Sequence, residues 1–199
     1  MKILAFTDMH GSLRAYKKLK QHVDGAEVIV CAGDFTVFAQ AMEYLLMKIN
    51  KLGKKVLIVH GNHEDPHDLK NACSLFTNTE FIHKKGFVVG DYLFIGYGGG
   101  GFSLVDKEFE KKHSKELLKI IEDNKGKKVV FVTHAPPYGT KVDRVMDEHC
   151  GNKSFRKFLE KAKPMLMICG HLHENAGKMD TLHHTKIINP GPYGMILDI

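Results

Sequence analysis

Five short apolar segments that each end in a polar cluster constrain the fold of this chain more than any other feature. The segments are residues 3–7, 28–32, 56–60, 129–133 and 165–169. Their length and continuous apolar character indicate strands that are buried on both faces, as in a parallel sheet. Sites in open α/β sheets form at the carboxyl ends of such strands, so we expect the five polar clusters to meet at one edge.

Each segment is followed by side chains that can bind a metal ion. The set is Asp8, His10, Asp34, Asn62, His134, His171 and His173. Imidazole nitrogens are too numerous here for Mg²⁺ or Ca²⁺, and the set lacks the thiolates that structural zinc sites use. The mixture suits borderline divalent ions such as Mn, Fe, Co, Ni or Zn, with enough donors for two ions that share a carboxylate. Two such ions can activate a hydroxide and hold the oxygens of an in-line displacement at phosphorus.

Chance placement is the competing explanation for these residues. A single histidine after a strand is usually a hydrogen-bonded residue of the core or the surface. The coincidence of all five strand ends argues against chance, and buried carboxylates without partners would cost several kcal/mol each. Metal ions would remove that cost, so the pattern favours a metal site.

The alternation of segments predicts an α/β fold in a single domain that spans residues 1–199. Strands are expected near 2–7, 27–32, 55–60, 128–133, 165–169, 186–189 and 193–199. Helices are expected near 13–23, 38–51, 106–124 and 154–162, the first of them capped by Ser12. The β-α-β-α-β order at the start implies parallel strands with right-handed crossovers. Segments 80–89 and 91–97 are interpreted as a hairpin around Gly90.

The composition argues against a disulfide-stabilised protein and against a membrane-crossing protein, and it leaves the choice of partner open. The formal net charge of +6 permits nucleic acid as a partner, but the pattern of interleaved aromatic and basic residues that binds single strands is missing. The four cysteines form no C-x-x-C pair, which favours a reducing, cytoplasmic environment. No apolar run approaches the ~20 residues that cross a membrane. A homodimer is expected only because two-fold dimers are the commonest oligomers.

Taken in order, the motifs resemble the signature of the calcineurin-like metallophosphoesterases. The matching motifs are Asp8-x-His10, Gly33-Asp34, Gly61-Asn62-His63-Glu64, His134 and Gly170-His171-x-His173. The resemblance runs from residue 3 to about residue 192. The segments 133–137 and 188–192 are similar to the small prokaryotic branch that is related to class III cyclic-nucleotide phosphodiesterases. Many relatives carry serine after Asn-Pro-Gly, where this chain has Pro192.

This resemblance implies a four-layer αββα sandwich, two mainly mixed β-sheets flanked by helices, with a two-metal site between the sheets. One metal ion would be bound by Asp8, His10, Asp34 and His173. The other would be bound by Asp34, Asn62, His134 and His171, so that Asp34 bridges the two ions.

The resemblance also implies roles for residues around the metals. His63 matches the family's histidine that is not a ligand and would donate a hydrogen bond or a proton to the phosphate and the leaving group. Glu64 is expected to orient His63. Apart from the resemblance, Lys141 and Arg144 follow the His134 loop and are weaker candidates for contacts with a phosphate or a ribose, with a solvated loop as the equal alternative.

The expected function is hydrolysis of small phosphodiesters, nucleotides among them, by direct attack of a metal-bridging hydroxide. Mn is the favoured metal of the borderline set. A phosphomonoesterase is the first alternative and a nuclease the second. A non-catalytic interaction protein on the same fold is the alternative from a different class. Loss of His63 or of a ligand would indicate such a protein, and this chain retains them all.

Overall fold

Two β-sheets packed face to face, with helices on both outer sides, make up the protein. The structure, a computed structural model, describes residues 1–101 and 103–199. Its strands are β1 (Lys2–Phe6), β2 (Val28–Cys31), β3 (Lys55–Ile58), β4 (Thr79–Phe81), β5 (Lys85–Val89), β6 (Tyr92–Tyr97), β7 (Lys128–Thr133), β8 (Arg144–Val145), β9 (Glu148–His149), β10 (Leu166–Ile168), β11 (Met179–Leu182), β12 (Thr185–Ile188) and β13 (Met195–Asp198). Its α-helices are α1 (Leu13–His22), α2 (Met42–Asn50), α3 (Pro66–Ser74), α4 (Ser114–Asp123) and α5 (Lys153–Ala162).

Both large sheets are mixed, with parallel strands at their centres. The first has the order β13-β1-β2-β3-β4, in which only the β13–β1 pair is antiparallel. The second has the order β11-β12-β10-β7-β6-β5, with antiparallel pairs at its two edges. The small strands β8 and β9 form a separate hairpin. The carboxyl ends of the parallel strands therefore point the same way within each sheet.

Alternating side chains on the strands separate three apolar layers. In β1, Ile3 faces the core between the two sheets, whereas Leu4 faces the outer core beneath α1, α2 and α3. In the second sheet, Val130 faces the first sheet and Phe131 packs beneath α4 and α5. This arrangement confirms the four-layer αββα sandwich that the sequence predicted. Among the described residues, no helix combines the length and the apolar character that crossing a membrane requires.

The structure differs from the sequence-based expectations where short elements depend on long-range pairing. The segment 80–89 is not one strand, because β4 joins β3 in the first sheet while β5 forms the expected hairpin with β6 in the second. Helix α2 begins at Met42 rather than near residue 38, since Phe38, Ala39 and Ala41 have φ values of 46°, 60° and 54°. Strands β8, β9 and β11 are too short or too exposed to give a recognisable apolar pattern.

Two neighbouring histidines, His60 and His83, lie in contact beside the end of β6. Their ring centroids are 4.6 Å apart, and Nδ1 of His83 accepts a hydrogen bond from the backbone N–H of Gly98 at 2.9 Å. Burial lowers the pKa of both imidazoles, and that of His83 falls to about 3. Both rings are therefore neutral at neutral pH.

We predict that His83 makes the protein sensitive to acid. At a pH below 6.5, the ordinary pKa of histidine, His83 is protonated in the unfolded chain but not in the folded protein. The free energy of unfolding therefore falls as the pH drops from 6.5 towards 3. His83→Gln cannot titrate and should flatten this fall by up to about 1.4 kcal/mol per pH unit. Urea unfolding of metal-free protein at several pH values measures the slope. His67→Gln, at an exposed position on α3, should keep the wild-type slope, and an unchanged slope in His83→Gln would contradict the prediction.

Candidate metal centre

The five polar clusters meet at one edge of the sandwich, where parallel strands of both sheets end. β1, β2 and β3 lead to Asp8, Asp34 and Asn62, while β7 and β10 lead to His134 and His171. Carboxylate and imidazole atoms from the two sheets approach one another within 4.8 Å in three overlapping groups. The structure therefore brings together the strand ends that the sequence singled out.

The backbone at this edge is strained in a way that aims side chains inward. Asp8, His10, Asp34 and His171 have φ values of 53°, 45°, 51° and 70°, a left-handed conformation that non-glycine residues rarely adopt. Each such residue costs on the order of 1–3 kcal/mol and persists only where its surroundings hold it. Here the turns after β1 and β2 hold each other, because the N–H of Asp8 donates to Gly33 O and the N–H of His10 to Asp34 O, both at 3.0 Å.

The first cluster consists of Asp8, His10 and His173. The Nε2 atoms of the two histidines are 3.0 Å apart, and Nε2 of His173 is 3.5 Å from Oδ1 of Asp8. The backbone N–H of His171 donates to Oδ2 of Asp8 at 3.0 Å, which fixes the carboxylate. Three donor atoms thus converge on one small volume from two different sheets.

The second cluster consists of Asp34, His134 and His171, with Asn62 beside them. Nε2 of His134 lies 3.3 Å from Oδ2 of Asp34 and 3.1 Å from Oδ1 of Asn62. The rings of His134 and His171 are in contact, with centroids 5.1 Å apart. Asp34 lies between the two clusters, because its carboxylate also groups with His10 of the first.

In the rings of His10 and His134, the hydrogen bond of Nδ1 determines which nitrogen faces the site. Nδ1 of His10 bonds to Thr36 O at 3.0 Å, and Nδ1 of His134 bonds to Ala32 O at 2.9 Å. A carbonyl oxygen only accepts, so each Nδ1 carries a proton. When the ring is neutral, Nε2 therefore turns a lone pair towards the other acceptors, and when the ring is protonated, Nε2 turns an N–H towards them. Converging lone pairs repel one another unless a proton or a cation lies between them. The donor set therefore fits divalent metal ions.

Burial and the neighbouring charges shift the pKa values of the cluster residues when no metal is bound. Burial alone would raise the pKa of Asp34, but the hydrogen bond and charge of a protonated His134, together with His63, lower it to about 2. Burial alone would lower the pKa of His134, but its hydrogen bond to Asp34 and the charge of Asp34 raise it above its ordinary value. Burial lowers the pKa of His171 to about 4. The hydrogen bond to Asp8 raises the pKa of His173. At neutral pH the Asp34 carboxyl is thus ionised and the His171 ring is neutral, which are the forms that bind metal ions.

His63 lies next to both clusters and is held by groups that the sequence did not indicate. Its backbone N–H donates to Oδ1 of Asp34 at 2.9 Å, and the backbone N–H of Phe38 donates to its Nδ1 at 3.1 Å. The Phe38 ring also packs on the imidazole, with centroids 4.4 Å apart. A neutral His63 therefore carries its proton on Nε2, which lies 3.8 Å from Oδ2 of Asp34. A backbone donor such as that of Phe38 has no signature in a sequence.

The hydrogen bonds of Glu64 go to the turns that carry the cluster residues. Its buried carboxylate accepts hydrogen bonds of 2.7–2.9 Å from the backbone N–H groups of Asp34, Thr36 and Gly61 and from the Thr36 hydroxyl. It therefore joins the turns after β2 and β3 and fixes the backbone that carries Asp34. His63 is oriented by Phe38 and Asp34 instead.

Two glycines of the motifs are required by close approach of the turns. A Cβ atom at Gly61 would collide with the carboxylate of Asp34, and one at Gly170 would collide with the Thr7 hydroxyl and the carboxylate of Asp8. Any side chain at these positions would push a carboxylate out of its cluster. The glycines are thus part of the geometry of the site.

The open space beside the clusters is a cleft of about 280 Å³. It is lined by Asp34, Asn62, His63, Val145, His171, Leu172, His173 and Glu174. Lys141 instead lines a separate cavity together with Asp180, whose carboxylate accepts its backbone N–H. The Arg144 guanidinium donates to Asp147 O at 3.1 Å. The structure therefore brings neither Lys141 nor Arg144 into the lining of this cleft, although Val145 next to Arg144 does line it.

The chain belongs to the calcineurin-like phosphoesterase family, whose sequence model matches residues 1–175. The uncharacterized protein MJ1162 of Methanocaldococcus jannaschii is 31% identical over 202 residues, which cover 96% of this chain and 88% of MJ1162. Membership of this family indicates a hydrolase that acts on phosphoesters with divalent metal ions, and the two clusters are its candidate metal-binding groups.

Solved structures share the fold. TT1561 of Thermus thermophilus superposes with a TM-score of 0.80 at 18% identity, over 99% of this chain and 93% of TT1561. A dimetal phosphatase from Danio rerio gives a TM-score of 0.65 at 12% identity, over 94% of this chain and 86% of the phosphatase. The metallophosphoesterase fold that the sequence resemblance implied is thereby confirmed.

We predict that Glu64→Gln weakens metal binding even though Glu64 is not among the candidate ligands. The glutamine NH₂ group would face the backbone N–H groups whose hydrogen bonds Glu64 now accepts, so the Asp34 turn should move. The free energy of unfolding should fall by about 2–4 kcal/mol, and the affinity for Mn²⁺ by about 10–100-fold. Calorimetric titration and urea unfolding measure the two effects. Glu43→Gln, on the exposed face of α2, is the matched control. A folded Glu64→Gln variant with wild-type affinity would show that this network does not position Asp34.

Proposed function

We propose that this protein is a dinuclear-metal-dependent phosphodiesterase that hydrolyses small phosphodiesters, nucleotides among them. The observation that carries the proposal is the convergence of two donor clusters that share Asp34. One ion would be held by Asp8, His10, Asp34 and His173, and the other by Asp34, Asn62, His134 and His171. When bound, such ions supply an activated water and neutralise charge at phosphorus. Mn²⁺ is the metal we favour, since the set combines oxygen and imidazole ligands without thiolate.

His63 is the residue that we assign to the proton transfer. Phe38 occupies its Nδ1, so the proton on Nε2 faces the cleft. This N–H can donate to a phosphoryl oxygen and can pass its proton to the departing alkoxide, which otherwise leaves as a strong base. The hydrogen bonds that His63 makes with Asp34 and Phe38 hold the residue in place and supply the orientation that such a transfer requires.

The charge of the cleft supports a diester rather than a monoester substrate. A phosphodiester carries one negative charge at neutral pH, whereas a phosphomonoester carries nearly two. Among the described residues that line the cleft there is no lysine or arginine, and Glu174 adds a negative charge. A dianionic group would be bound by the metal ions alone, without the bidentate arginine partners that often assist its binding. Phosphomonoester hydrolysis remains the second candidate, and the same lack of cations disfavours a nuclease.

The setting that we propose is the cytoplasm. All four cysteines are free thiols, three of them buried. Burial raises the pKa of Cys73 to about 12, which keeps this thiol protonated and unreactive. Free, buried thiols are usual in a reducing compartment.

The test of the proposed function is metal-dependent hydrolysis. Metal-stripped protein is reloaded separately with Mn, Ni, Zn and Mg, and each form is assayed on an aryl phosphodiester and an aryl phosphomonoester. We expect diester cleavage with Mn or Ni. Asp34→Asn should abolish it because both clusters lose the shared carboxylate, and His63→Ala should slow it by about 10²–10⁴-fold because proton transfer is lost.

The control for this assay is His67, an exposed histidine near His63 in sequence. The His67→Ala variant should retain full activity. Cleavage of the monoester alone would replace the diesterase with a phosphomonoesterase. If the protein binds two metal ions but hydrolyses neither aryl ester and no member of a panel of nucleotides, it is a non-catalytic interaction protein instead.

A further inference from the structure

Four apolar side chains are exposed beside the metal clusters. Leu13 is 52% exposed, Val37 36%, Phe38 73% and Tyr44 49%. Leu13 begins α1 directly after the His10 turn, and Val37 and Phe38 follow the Asp34 turn. Single exposed apolar residues are common, but a group of them around a polar site indicates a binding surface. We call these four residues the apolar surface.

A cavity joins three residues of this apolar surface, Leu13, Val37 and Tyr44, to the first metal cluster. It measures about 320 Å³ and is lined by His10, Gly11, Leu13, Val37, Gln40, Ala41, Tyr44 and Leu45. His10 belongs both to the lining of this cavity and to the first cluster, where its Nε2 lies 3.0 Å from Nε2 of His173. A group attached to a phosphate at the metal clusters can therefore enter this cavity without leaving the protein surface.

A row of ring contacts leads from His10 of the cavity to His63 of the cleft and on to Phe38. The His10 and His63 ring centroids are 4.8 Å apart, and Phe38 packs on His63 with centroids 4.4 Å apart. Tyr44, which also lines the cavity, has the Lys48 ammonium 4.8 Å from its ring centroid. Flat, positioned rings of this kind suit a flat ligand group, which gains contact with little loss of entropy.

The backbone is strained where it presents Phe38. Phe38, Ala39 and Ala41 all have positive φ values. The Thr36 hydroxyl accepts the N–H of Ala39 at 3.1 Å and itself donates to Glu64, which anchors the loop to the metal turns. Strain that keeps a phenyl ring exposed rather than folded into the core occurs most often at functional sites.

We propose that the apolar surface binds a planar aromatic substituent, an aryl group or a nucleobase, of a phosphodiester whose phosphate lies at the metal clusters. This inference rests on the proposed function, because it assumes that the clusters bind the phosphate. It adds Leu13, Val37, Phe38 and Tyr44 as residues that determine specificity.

Two non-hydrolysable probes test the surface without requiring catalysis. Methyl(phenyl)phosphinate and dimethylphosphinate both carry one negative charge, as a phosphodiester does, and differ only in one substituent. Mn-loaded protein should bind methyl(phenyl)phosphinate roughly tenfold to a hundredfold more tightly in calorimetric titrations. Phe38→Ala and Tyr44→Ala should each reduce this ratio at least fivefold, whereas Phe38→Tyr and Tyr44→Phe should preserve it. Leu75→Ala, at a leucine that is 64% exposed beyond the end of α3, should leave the ratio unchanged.

The outcomes separate this inference from the proposed function. Hydrolysis of an aryl diester, combined with equal affinity for the two phosphinates, overturns the aromatic subsite and leaves the phosphodiesterase intact. Aromatic selectivity that Phe38→Ala and Tyr44→Ala abolish, in a protein that hydrolyses no ester, supports the subsite and overturns the enzymatic proposal. A change from dimer to monomer in Phe38→Ala, with the ratio of the two phosphinate affinities retained, assigns the apolar surface to an interface between copies and overturns the inference.

Discussion

The need to compensate buried negative charge governs this edge of the sandwich. Asp8, Asp34 and Glu64 are all buried, and each would cost several kcal/mol without partners. Glu64 is compensated by hydrogen bonds from the turns after β2 and β3. Asp8 and Asp34 face histidine nitrogens from the opposite sheet, in clusters that fit cations. The charges therefore connect the two sheets where their parallel strands end.

The strained turns are a consequence of this arrangement. A strand that simply continued past Asp8 or Asp34 would carry the carboxylate away from the opposite sheet. The left-handed conformation reverses the chain and turns the side chain inward, at a cost that the surrounding network offsets. Gly61 and Gly170 leave the space into which those carboxylates fit. Strain, glycine and charge compensation are thus parts of one structural solution.

The loop between β2 and α2 connects chemistry with recognition. Thr36 anchors it to Glu64, the backbone of Phe38 fixes the tautomer of His63, and the Phe38 side chain contributes to the apolar surface. A ligand that packs against Phe38 would therefore touch the residue that orients the proposed acid. Substrate selection and proton transfer would be coupled through a single backbone segment, which gives the loop a role that its short, irregular sequence does not reveal.

The sequence by itself determined where the central strands lie in the chain and which side chains follow them, because buried parallel strands impose a continuous apolar pattern that is local. The four layers followed from the family resemblance. Tertiary structure decided which donors share a cluster, and it gave Glu64 to the backbone of Asp34 rather than to His63. It also moved β4 into the first sheet and delayed the start of α2. These outcomes depend on contacts between segments far apart in the chain and on backbone donors, such as the N–H of Phe38, that every residue type except proline possesses.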